Sequence, residues 1–408
     1  MNESLNEPLN QDGWKRNLLV LWIAQFIAMI GMTGVIPFLP LYVRELGVSP
    51  DQTSLWSGFI IAAPFATAAL LTPLWGSIGD RYGQKLMVMR AVAGLGLTVA
   101  AMGLATNVWV LFVLRILQGA VSGFIASTNA FVSSNTPSDR AGYALGTLQT
   151  SISAGAIVGP LVGGAISDAF GFQMVFFVVG GLCTLSLVTV YAGVREQPVR
   201  SSGRSGRVLK NLVYVRNDPT LMRLLLILLI GQTGVVLTGP IFPYYLEQLG
   251  APSQNLGTLA GMVVSLVGLG TIASASWWGK RSDRYGYAAT MRITTVIVAA
   301  GMLAQVVVPS YEWIFPIRGT IGLAVGALLP LSYSELTRRA PVANRGGIMG
   351  LASSATLLGN LLGPILCAGF ASVIPLQYIF LVSASLIITV HMMSRGVGRE
   401  VGTGDETP

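Results

Sequence analysis

Twelve apolar stretches, each about 20 residues or longer, run through this 408-residue chain and leave few folds open to it. A helix rising 1.5 Å per residue crosses the hydrocarbon core of a bilayer in about 20 residues. The stretches lie near 18–43, 55–78, 86–105, 108–134, 142–167, 172–193, 221–246, 257–278, 288–308, 312–336, 346–371 and 375–394. None alternates apolar with polar residues, as the strands of a membrane barrel do; LLILLIGQTGVVLTG shows the contrast. Only 10% of the residues are charged, against about 25% in a soluble domain. The chain is read as an all-α integral membrane protein with twelve transmembrane helices.

The basic residues fix its orientation. With twelve spans both termini share one side, and that side collects 22 of the 25 Lys and Arg residues. Arg44 alone falls on the opposite side, and Arg115 and Arg318 fall inside apolar runs. Basic loops face the cytoplasm, so both termini are expected there. This arrangement accounts for the net charge of +8 without a nucleic-acid partner. The polar, acidic start MNESLNEPLNQDGW lacks the positive opening of a secretory signal. The expected organisation is a cytoplasmic N-terminal tail (1–17), a six-helix bundle (18–193), a Ser/Gly/Arg-rich linker (194–220), a second six-helix bundle (221–394) and a cytoplasmic tail (395–408).

The two bundles are copies of one unit. GSIGDRYGQK at residues 76–85 returns as GKRSDRYGYA at 279–288. An offset of 203 relates Pro37 and Pro40 to Pro240 and Pro243, and Arg115, Gly119 and Gly123 to Arg318, Gly322 and Gly326. Beyond residue 136 the offset becomes 204 and relates Gly159 and Pro160 to Gly363 and Pro364. An even number of spans per unit makes these parallel repeats, and such repeats rock about a site at their interface near the membrane midplane. A channel would show a filter or rings of charge.

Three motifs carry candidate function. The repeated turn (Gly76, Asp80, Arg81, Gly83 and Lys85, with Gly279, Asp283, Arg284 and Gly286) is read as a conformational latch. There Gly76 and Gly83 allow a tight bend, and Asp80 is placed to accept from amides at another helix's N-terminus. Arg115 shares a helix face with Gly119 and Gly123. An Arg at the bilayer centre costs about 2.5–3.5 kcal/mol on insertion scales, so it must face the bundle interior or a wet cavity. Gln25 and Gln118 are its polar candidates for coupling, and Glu335 is a candidate proton carrier. Arg318 is expected to lie near the opposite interface, with Arg318→Ala milder than Arg115→Ala. The glycines of GAIVGPLVGG (Gly155, Gly159, Gly163 and Gly164, around Pro160) allow close backbone approach. Cys183, Cys367 and the single His391 are read as packing residues; no metal or catalytic set is present, and the chain is not expected to be an enzyme.

GSIGDRYGQK resembles the loop between helices 2 and 3 of the major facilitator superfamily, and LRILQGAVSG resembles its helix-4 motif. GAIVGPLVGG resembles the helix-5 motif of that family's twelve-helix drug:proton antiporters. The opening WKRNLLVLWIAQF, with IPFLPLYVRELGV and LWSG, is similar to the family's multidrug-resistance members. The resemblance covers the chain past residue 13. It implies two six-helix bundles, secondary-active efflux of amphipathic drugs, the proton as coupling ion with no other cofactor, and a monomer in the bacterial inner membrane. A cavity is expected between helices 1, 4, 7 and 10, lined by Gln25, Met29, Met32, Phe124, Asn129, Gln149, Gln232, Tyr245 and Tyr333. The competing expectation is a permease or exporter for one polar metabolite, a sugar or an amino acid, whose site would hold more fixed charge.

Overall fold

Every span the hydropathy marks out is a helix in the computed structural model, which describes residues 13–137, 140–196, 208–341 and 344–397. For Pro73, Asp80 and residues 208–212 only the backbone is described. The outer parts of both expected tails and most of the Ser/Gly/Arg-rich linker therefore lie outside the described residues. The spanning helices are α1 (Gly13–Gly34), α2 (Pro50–Tyr82), α3 (Gln84–Met102), α4 (Val108–Ala120 and Phe124–Asn135), α5 (Ala141–Phe170) and α6 (Phe172–Gly193). The second set is α7 (Pro219–Val236), α8 (Leu256–Tyr285), α9 (Tyr287–Ala304), α10 (Ile314–Val325 and Leu328–Arg339), α11 (Arg345–Ala371) and α12 (Ile379–Ser394).

Four helices depart from the expected runs, each for a local reason. The first run does not continue to residue 43. It ends at Gly34 before Pro37 and Pro40, and a short helix, Leu39–Glu45, follows. Proline lacks the amide that an unbroken helix needs there. The seventh run breaks in the same way before Pro240, with the short helix Phe242–Gln248 after it. In α4 the break falls at Gly123, whose φ of 107° is in the left-handed region. In α10 it falls at Gly326–Ala327. The repeated charged motif is mostly helix, not turn. Gly76 and Gly279 sit inside α2 and α8 with open space beside them, and the bends are at Gly83 (φ 100°) and Gly286 (φ 85°) alone.

The duplication is visible in hydrogen bonds. Tyr42 donates to the Met102 carbonyl, and its repeat mate Tyr245 donates to the Gln305 carbonyl. The Trp75 indole donates to the Ala120 carbonyl at 2.7 Å, and Trp278 donates to Leu323 at 2.6 Å. Within each half, α5 packs on α1 and α11 packs on α7. Gly155, Gly159 and Gly163 make the first of these contacts possible: an added Cβ at these positions would meet Met29 and Phe26, Thr33 and Ile30, and Gly34. Between the halves run two long seams, α5 on α8 and α2 on α11, which the repeat operation exchanges.

The two faces of the molecule differ in how the halves are tied. On the basic face several ties stay within a half. Asn17 and Arg195 exchange two hydrogen bonds, Lys85 donates to the carbonyls of Tyr191 and Val194, and Arg223 and Arg339 donate to Gly396 and Val397. On the opposite face the ties cross. Arg44 meets Glu247 at 2.7 Å, Tyr244 donates to the Pro40 carbonyl, and Asp168 accepts from the first amides of α8.

Candidate functional site

Where the halves are not tied, a cavity of about 980 Å³ lies between them, near the middle of the helices. It is lined by α1, α2, α3, α4, α5, α10 and α11. Most of its wall is apolar, from residues such as Ala28, Ile61, Phe65, Ala69, Leu95 and Ile152. The polar groups are Thr72, Gln118, Ser122, Asn129, Gln149, Tyr333, Ser353, Ser354, Thr356 and Asn360. Arg115 is the one formally charged residue among the described lining. The cavity borders Gly350, beside which no atom lies within 4 Å, and the same openness surrounds Gly142, Gly146 and Gly346. These glycines lie in the first turns of α5 and α11 at the basic face, whereas the contacts that cross the halves, Arg44–Glu247, Tyr244–Pro40 and Asp168 on α8, stand at the opposite face.

Arg115 is held from two sides. Its Nε donates to the Ile60 carbonyl at 3.0 Å, and its Nη1 donates to Gln118 Oε1 at 2.7 Å. The residue is 4% exposed. Gln118 lies one turn further along α4, the spacing at which two side chains share a face. A guanidinium has five donors and keeps its charge at any accessible pH. With two donors committed, three remain on a residue that lines the cavity.

Of the nine residues expected to line the cavity, Met29, Met32, Phe124, Asn129, Gln149 and Tyr333 do so. Tyr333 meets the Thr356 hydroxyl at 3.2 Å. Gln232 stands one layer back and donates to Asn360, a lining residue, at 2.8 Å. Tyr245 is a correction. It sits on the short helix beyond the Pro240 break, buried against Phe380, with its hydroxyl on Gln305. Gln25 is a second correction. It is fully buried, outside the lining, and neither polar atom of its side-chain amide has a partner among the described residues.

Glu335 lies outside the lining too. Its carboxylate takes Arg339 Nε at 2.6 Å and stands 3.8 Å from Arg338, an i,i+4 and i,i+3 ion pair at the basic end of α10. Arg318 does not reach the interface, as its sequence position implied. It is 8% exposed, donates to Gln305 Oε1 at 2.7 Å and to Thr238 at 3.1 Å, and lies 4.3 Å over the Phe242 ring.

At the repeated motif the Asp80 side chain lies outside the described residues, and Asp283 and Arg284 are exposed. Arg81 lies over the ring of Tyr82 at 5.3 Å, and Arg284 over that of Tyr285 at 5.4 Å. The carboxylate on the α3 amides is that of Glu196, which accepts from Gln84 at 2.6 Å and Lys85 at 3.1 Å. Glu196 follows α6 and carried no motif. The repeat relation was its available signal, since Glu400 stands 204 residues later. Arg44 and Glu247 were legible in the same way: they are repeat mates of opposite charge, and they meet across the halves.

The comparisons with known proteins agree with this geometry. The family model of the Major Facilitator Superfamily matches residues 21–259 and 224–397. Multidrug resistance protein MdtG of Dickeya zeae (strain Ech586) is 32% identical over 379 residues, covering 92% of each chain. MdtG of Escherichia coli (strain K12 / DH10B) is 32% identical over 384 residues, covering 93% of each. Among solved structures, a bacterial homolog of the human lysosomal transporter Spinster, in an inward-facing and occupied conformation, superposes with a TM-score of 0.80 at 16% identity. That match covers 96% of this chain and 98% of the other. A D-xylose-proton symporter superposes with a TM-score of 0.76 at 14% identity, covering 93% and 97%. At those identities the structures speak for the fold, and the family model speaks for descent: this multi-pass membrane protein belongs to the Major Facilitator Superfamily.

Proposed function

We propose that the chain is a secondary-active multidrug exporter. It takes amphipathic compounds from the cytoplasm or inner leaflet and releases them outside in exchange for protons, by alternating access. The observation that carries this reading is the cavity: large, mostly apolar and bounded by both halves, with the contacts that join the halves across the face opposite the basic one. Flexible thioethers (Met29, Met32) and aromatic walls suit ligands of varied shape. The relatives named multidrug resistance protein MdtG support the same class of cargo. The basic loops support a cytoplasmic location for both termini, and the relatives' hosts support a bacterial inner membrane. The chain is taken to work as a monomer surrounded by lipid.

Proton exchange can drive this transport. Raising a neutral compound 100-fold outside costs about 2.7 kcal/mol. One proton entering across roughly 150 mV supplies about 3.5 kcal/mol. Arg115 cannot carry that proton. It can hold an anionic or polar group of the cargo and exchange that contact for water. A permease for a sugar or amino acid would present more fixed charge and more paired donors than this wall does.

The test is a susceptibility panel in a host stripped of its own pumps, followed by efflux from energised vesicles. Raised tolerance to several unrelated amphipathic compounds, abolished by a protonophore, is the expected outcome. Accumulation of one metabolite with no change in tolerance would favour the permease.

A further inference from the structure

On the face opposite the basic one, the two halves are joined by a contact that belongs to no motif. Asp168 stands near the end of α5, in the N-terminal half. Its Oδ1 accepts from Gly257 N at 3.0 Å and its Oδ2 from Thr258 N at 2.6 Å. Those amides open α8, a 30-residue helix of the other half. The first amides of a helix have no partner within it, and the helix dipole favours a carboxylate there. One side chain of one bundle therefore satisfies two orphan donors of the other.

The surrounding seam is close-packed. An added Cβ at Gly164 would strike the Gly257 carbonyl, and one at Gly261 would strike the Pro160 carbonyl. The Ser265 hydroxyl donates to Ile157 at 2.5 Å. The repeat-related seam of α2 on α11 is equally tight at Gly58, which abuts Pro364 and Ala368. The residue at the position of Asp168, however, is Ser372, which donates to Gly369 of its own helix at 2.7 Å. Among the described residues, the repeat mate of Asp168 therefore makes no such clamp on the second seam. The Arg44–Glu247 pair also crosses the halves, but its side chains are 43% and 33% exposed, and exposed pairs contribute little.

We propose that Asp168 is the latch of the outer gate: its carboxylate, capping α8 across the interface, holds the outer seam shut and must let go before the cavity opens to the far side. This rests on the alternating-access reading above. Asp168 acts as a positioning residue, half-buried and outside the cavity lining.

The experiment measures the outer opening directly in the purified full-length protein. Spin labels at Thr106 and Val307 sit on exposed outer loops of the two halves. The native thiols Cys183 and Cys367 are buried and do not compete for label. Asp168→Asn keeps the shape but sets an amide NH2 against a backbone N–H. It should raise the long-distance, outward-open fraction about tenfold, equivalent to about 1.4 kcal/mol. Asp168→Glu keeps the charge but is one methylene longer and should raise the fraction less. Ser372→Ala and Arg44→Gln should each move it less than about twofold. If Asp168→Asn is not recovered folded, the shift in Asp168→Glu decides the question. A distance distribution in the Asp168 variants equal to that of the unsubstituted protein, or an equal shift in Ser372→Ala, overturns the latch alone. A single distance in the unsubstituted protein, unmoved by a transported compound or a pH gradient, overturns alternating access as well.

Discussion

Arg115 and Arg318 occupy the same position in two copies of one bundle, yet they are built into different surroundings. In the N-terminal half the amide partner is Gln118, on the same helix and on the cavity wall. In the C-terminal half that position is Ile321, and the partner is Gln305, whose own mate in the first half is Met102. A single exchange of Gln and apolar residues moves the guanidinium's partner from the cavity side to the neighbouring helix. Thr238 and the rings of Phe242 and Phe380 then surround Arg318, which stands off the cavity lining. Duplication supplied two buried charges; divergence left one on the cavity wall and the other away from it.

Substitutions can separate these roles. The largest effect on folding is expected for Arg318→Ala. It strands Gln305 and removes the ring contacts, costing roughly 2–4 kcal/mol, which thermal unfolding of the purified protein would read as a large drop in melting temperature. Arg115→Ala should lose about 1 kcal/mol or less of stability, because water in the cavity can reach Gln118 and the Ile60 carbonyl. Its efflux should nevertheless fail. A greater loss of stability in Arg115→Ala than in Arg318→Ala would break the comparison.

Next in size is Gly164→Val. Its side chain must displace the Gly257 backbone, so the outer seam cannot close, and inward-facing uptake of cargo should fall at least tenfold in a binding assay at equal expression. Arg115→Lys sharpens the comparison further. An ammonium lacks the planar fork that serves Ile60, Gln118 and the cavity together, so partial efflux is expected, with anionic compounds retained better than in Arg115→Ala. Gln118→Ile copies the second half into the first and should cost about 1 kcal/mol while weakening cargo affinity several-fold. The smallest effect belongs to Glu247→Gln. An exposed pair is worth about 0–1 kcal/mol, and melting should barely move.

The fold was legible because membrane physics leaves little choice. Apolar length, basic loops and the offset of 203 led to twelve helices in two bundles without any contact being known. The helix breaks were less legible, since Pro37 and Gly123 lie in runs that stay apolar on both sides. The cavity was half legible. Residues such as Asn129 and Gln149 were found because a polar side chain in an apolar run needs a wet wall. Tyr245 and Gln25 obeyed the same rule and were misplaced, because one sits beyond a helix break and the other points into the bundle. The gate was hardest to read. Asp168 acts on backbone amides of a distant helix, and its repeat mate is the uncharged Ser372, so neither side-chain pattern nor the repeat marks it.

The most direct test of the account is made in proteoliposomes with an imposed proton gradient, following an amphipathic compound and the internal pH together. The protein and its Arg115→Ala variant are compared at equal amounts. The account predicts that the compound moves against its gradient while protons move the other way, and that both fluxes are lost together in Arg115→Ala with the protein still folded. Cargo movement without proton movement, or full coupled exchange in Arg115→Ala, would contradict it.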